Sequence, residues 1–90
     1  MNQDRRIDFP KNLIMLTRED VGYLLKATPE MVSVWNELGI LHGIKTGRNI
    51  MFSQTEVERF QNDYQGYDLS SYEKSKKAYE SLIFENEENL

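Results

Sequence analysis

Apolar residues recur at helical spacing in four stretches of this chain, and two short β-prone runs separate the second stretch from the third. Val21, Leu24 and Leu25 form one apolar face behind Leu16. Thr17 is a ready N-cap, Asp20 three residues on completes a shortened capping box, and Glu19 suits the helix dipole. This predicts a first helix from Thr17 to about Lys26. Thr28 caps the next, Pro29 fits its first position, and Val32, Trp35 and Leu38 give its buried face. Gly39 ends it. The β-prone runs are Ile40–Ile44 and Ile50–Phe52. Between them Gly47 and Asn49 supply turn chemistry, so a hairpin with a basic tip is expected. Ser53 and Glu56 read as a capping box for a third helix with Val57 and Phe60 inward, ending near Asp63. Ser70 and Glu73 read as the box of a last helix, Tyr72 to about Phe84, with an apolar stripe of Tyr72, Tyr79, Leu82 and Ile83.

Three segments follow from this pattern. Residues 1–15, broken by Pro10, form an N-terminal arm. Residues 16–63 form one compact unit. Residues 64–90 hold a connector, a C-terminal helix and an acidic tail. The expected fold class is mainly α with a small β-hairpin: a winged helix-turn-helix plus a C-terminal helix. The last helix's stripe has two readings, packing on the domain's own core or forming a homodimer seam.

Ninety residues with no cysteine and one histidine narrow the chemistry. One small domain is expected. Disulfides, thiolate zinc sites and all-histidine metal sites are excluded. No run approaches the ~18 apolar residues of a bilayer span. The opening Met-Asn-Gln-Asp-Arg-Arg has no hydrophobic stretch behind it, so a secretory signal is not expected and a cytoplasmic setting is the default. Nucleophile–base pairs and phosphate-cradling glycine loops are missing, so neither catalysis nor a cofactor is expected.

The formal charge of −4 opposes nucleic-acid binding as a bulk property. It is unevenly spread. Residues 1–16 carry three bases against two acids, residues 17–63 five against seven, and residues 64–90 three against six. Two of the middle segment's five bases sit at the hairpin tip, in Lys45 and Arg48.

The order helix, tight turn, helix, hairpin, helix is that of a winged helix-turn-helix, whose second helix can enter a major groove. On that reading Thr28, Ser33 and Asn36 are the candidates for base edges on the second helix. Lys45, Thr46, Arg48 and Asn49 form a wing that grips phosphate, and Arg5 and Arg6 form a minor-groove arm. Each has a plainer reading as a capping, turn or solvated residue. Trp35 reads as core, and His42 as an ordinary hairpin residue.

Residues 16–60 also resemble a known family, the excisionase-type, MerR-like helix-turn-helix domains. The resemblance rests on Leu16-Thr17, Leu25, Val32, Gly39, Leu41, Gly47-Arg48, Phe52, Val57 and Phe60, held in spacing without a gap over about half the chain. It implies a small protein of a phage or mobile element that binds double-stranded DNA. Excision factors in DNA recombination, transcription regulators and the DNA-binding ends of small terminase subunits are the family's range. An integrase or another phage protein is the implied partner, with no membrane role. The family carries Arg or Lys on its second helix. Residues 28–38 here carry only Glu30 and Glu37 as charges, so phosphate contact falls to the wing and the arm. That acidic helix also supports an alternative: a protein–protein interaction module on the same fold, its acidic face binding a protein partner.

Overall fold

A computed structural model describes residues 10–88. Its elements are β1 (Leu16–Thr17), α1 (Arg18–Leu25), α2 (Pro29–Leu38), β2 (Ile44–Thr46), β3 (Asn49–Phe52), α3 (Gln54–Asp63) and α4 (Tyr72–Glu88). The architecture is mainly α with a three-stranded antiparallel sheet of order β1-β3-β2. It is a helix-turn-helix, a hairpin wing, a third helix and a C-terminal helix.

The helix starts follow their caps. Thr17 Oγ1 accepts from Asp20 N–H while the Asp20 carboxylate accepts from Thr17 N–H, both at 3.0 Å, so the expected box is complete. Thr28 Oγ1 accepts from Met31 N–H, and Gly39 in the left-handed conformation closes α2. The box expected at Ser53 is half present. Ser53 Oγ accepts from Glu56 N–H, but the Glu56 carboxylate turns away to Arg59 and to His42 N–H. At α4 the cap is Ser71, whose Oγ accepts from Lys74 N–H, rather than Ser70. The Ser70 hydroxyl and N–H both donate to Asp68 Oδ1, closing a local turn that delivers the chain to Ser71.

The sheet departs from expectation in two places. Strand β2 begins only at Ile44 and runs on to Thr46, leaving a two-residue loop of Gly47 and Arg48. Gly47 has φ +80°, as a type II′ hairpin turn requires at its first central position. Ile40 and Leu41 are buried but not in a strand, because both N–H groups bond back to Trp35 C=O at the end of α2. That C-terminal wrap commonly seats an apolar residue just past the glycine. The second departure is β1, which places Leu16 opposite Phe52 and Thr17 opposite Met51.

The core joins every helix. Val21, Val32, Trp35, Ile40, Leu41, Phe52, Val57, Phe60, Tyr64 and Ala78 are buried. The Trp35 and Phe60 ring centroids are 5.0 Å apart and Phe60 and Tyr64 5.5 Å, within the range of favourable aromatic pairs. Trp35 Nε1–H is shared between Leu69 C=O and Ser75 Oγ, both at 3.2 Å. That donor ties α2 to the connector and to α4, which packs on α2. The buried edge of α4 is Ser75 and Ala78, flanked by Tyr79 and Leu82. Tyr72 and Ile83 of the expected stripe stay 49% and 39% exposed. The helix also runs past Phe84 to Glu88. No helix among the described residues is long and apolar enough to cross a membrane.

Candidate nucleic-acid interface

The wing is open to solvent: all three residues of β2 and the whole Gly47–Asn49 tip are exposed. Its register sets the presentation. Lys45 stands opposite Ile50 and Thr46 opposite Asn49, so the two pairs emerge on opposite faces of the ribbon. Arg48 follows Gly47 at the tip and makes no ion pair among the described residues.

A cleft of about 430 Å³ opens between the wing, the start of α1 and the face of α2. Arg18, Glu19, Ser33, Arg48 and Asn49 line it. Arg18 Nη1–H donates to Ser33 Oγ at 2.8 Å, and its Nη2 lies 3.6 Å from the exposed Glu19 carboxylate. Three of the wing and α2 candidates, Ser33, Arg48 and Asn49, therefore share one concavity.

The other candidates sit elsewhere. Thr28 lies on the far side of α2, capping it and lining a separate groove of about 670 Å³ with Met31, Trp35 and Leu69. The side-chain oxygen of Asn36 accepts from Gly43 N–H at 3.0 Å, so this residue fastens α2 to the base of the wing. Arg5 and Arg6 lie outside the described residues. Glu30 and Glu37 are exposed on α2 and make no ion pair among the described residues.

Two features escaped the sequence reading. Arg18 was hidden by its place inside a capping box, where it looks like an ordinary first-turn residue. The second is a polar clamp under the wing. Arg59 donates to Glu56, to Asp63 Oδ2 at 2.7 Å and to Ile40 C=O at 2.7 Å. Glu56 in turn holds His42 N–H at 2.8 Å. Burial alone would raise the Glu56 pKa, but the Arg59 guanidinium and the His42 N–H outweigh it and hold it below the usual carboxylate value. The i, i+3 and i+4 spacing of Glu56, Arg59 and Asp63 was the available signal.

No family model matches the chain, and neither a curated protein nor a solved structure does.

Proposed function

We propose that this chain is a small double-stranded-DNA-binding protein of the excisionase or regulator type, acting in the cytoplasm of a cell that carries a phage or mobile element. In this reading α2 lies in the major groove and the wing grips the neighbouring backbone. Ser33 contacts base edges, while Lys45, Thr46, Arg48 and Asn49 hold phosphate or minor groove. An integrase or another protein of the same element, or a second copy through α4, is the accompanying partner. No step of chemistry belongs to the chain itself.

One observation carries the proposal. Arg48 and Asn49 of the exposed wing tip and Ser33 of α2 line a single cleft, in which two arginines, Arg18 and Arg48, face one acid, Glu19, although the chain as a whole is acidic. Phosphate contacts supply most of the affinity for DNA and make it salt-dependent. Net charge acts at long range and is screened beyond roughly 10 Å at ordinary salt, so the local cations decide. Replacing Lys45 and Arg48 together by Ala should weaken binding to any duplex and flatten its salt dependence by about two phosphate contacts. Unchanged affinity in that double variant removes the wing from the interface.

The exposed Glu30 and Glu37 favour a second reading, an interaction module whose acidic α2 face meets a basic protein. Its signature is a stable protein partner together with no retention on DNA at about 50 mM salt, where electrostatic binding is strong.

A further inference from the structure

The second helix carries no cation, yet a guanidinium lies against it. Arg18 belongs to α1, and its Nη1–H donates to Ser33 Oγ on α2 at 2.8 Å. Strand β1 brings this about. Thr17 pairs with Met51 in the antiparallel register, and Arg18, the first residue of α1, follows it directly, so the start of α1 is anchored beside the β3 strand that leads back to the Asn49–Arg48 tip. Two arginines thirty positions apart in sequence therefore line one cleft.

We infer that Arg18 and Arg48 form a phosphodiester-binding site of this cleft, in which Arg18 supplies from α1 the cation that α2 lacks; the inference rests on the DNA-binding reading. A guanidinium has five donors in a fixed fork, and Ser33 occupies one of them. The rest stay available to a phosphate oxygen, and a side chain already held at one end loses less freedom on binding. The Arg18 side chain is 43% exposed, so it is open to a ligand. Its competitor is Glu19, itself 66% exposed at 3.6 Å. Exposed ion pairs of that kind are worth little, so a phosphate displaces the carboxylate rather than being excluded by it. The hydroxyl of Ser33 has a positioning part here, aiming Arg18 as well as facing the groove.

The test is a salt titration of duplex binding by fluorescence anisotropy, on the full chain, with melting curves to show that each variant is folded. Arg18→Gln should weaken binding to unrelated duplexes alike and reduce the slope of log affinity against log salt by about 0.9, the value of one phosphate. Its penalty then shrinks about threefold between about 50 and about 200 mM salt. Ser33→Ala, which leaves every charge in place, should weaken binding with no change of slope. Glu19→Gln, a surface change outside the Thr17–Asp20 cap, should tighten binding about twofold. It reads the same site even if Arg18→Gln does not fold. If the unaltered chain binds duplex but Arg18→Gln keeps its slope, or Glu19→Gln brings no gain, the Arg18 site is overturned and the wing reading stands. If the unaltered chain binds no duplex at low salt, both fall.

Discussion

At the turn between α1 and α2 two neighbouring residues are under opposite constraints. A Cβ built on Gly22 would sit 2.6 Å from Ala27 C=O, because the chain folds back across this point and Ala27 N–H bonds to Gly22 C=O at 2.8 Å. Helix propensity alone favours Ala over Gly by about 0.5–1 kcal/mol. Here the backbone clash decides the sign, and Gly22→Ala should cost about 2 kcal/mol or more, read as a lower urea midpoint. Lys26 has φ +59°, a left-handed conformation that costs a side-chain-bearing residue roughly 1 kcal/mol. Lys26→Gly should recover about that much, raising the melting temperature by about 4–8 °C for a domain of this size. From sequence, Gly22 is only a weak spot in a helix and Lys26 only a solvated helix end. Neither signals the tight return that couples them, because that return depends on where Ala27 goes.

The same scale holds an acid sensitivity. The Glu56 pKa lies below its ordinary 4.5. Hydrogen bonds from the Ser70 hydroxyl and N–H, with Lys74, hold Asp68 down at about 2. A carboxyl depressed in the folded state stabilises the fold above its unfolded pKa and loses that contribution as pH falls through the folded value. Stability should therefore be flat near neutrality and decline from about pH 4.5 downward. Glu56→Gln should lower neutral stability and shallow this decline, which urea midpoints against pH would show. An undiminished acid slope in that variant would remove Glu56 as its source.

Among the elements, the first three helices were legible because each carries its start signal in a side chain that bonds its own first turn: Thr17, Thr28 and Ser53. The sheet was less so. Strand β1 has two residues, too few for any alternation to register. Ile40 and Leu41 imitate a strand because they are consecutive and apolar, whereas their burial comes from the wrap after Gly39. Asn36 was legible as polar on α2, but not as a fastening, since Gly43 is reached only once the chain has turned back. This suggests a separable effect. Asn36→Ala should leave the Gly43 N–H without its acceptor and loosen the wing, seen as faster amide exchange in β2 and β3. On the DNA-binding reading it should lower affinity without altering the salt slope, since no charge is removed. A changed slope would mean that Asn36 acts otherwise.

For the whole molecule the open question was whether the last helix is an appendage or part of the core. Of the stripe the sequence pointed to, Tyr79 and Leu82 pack against the core while Tyr72 and Ile83 stay exposed. The buried edge of α4 is made by Ser75 and Ala78, whose small size lets α4 approach α2 and lets Ser75 Oγ meet the Trp35 indole. Trp35 is thus a junction: its ring packs on Phe60 of α3, and its N–H reaches the connector and α4. A carboxylate at position 78 would have to be buried where relative exposure is 5%, and an unpaired buried charge is far costlier than the lost methyl. Ala78→Asp should therefore destabilise α1–α3 as well as α4, by about 3 kcal/mol or more. In the unaltered chain, far-UV circular dichroism, dominated by all four helices, and Trp35 fluorescence should trace one coincident urea transition. In Ala78→Asp both probes should shift together to lower urea. An α4 that melted alone, leaving the Trp35 transition in place, would show that the winged unit is stable without it.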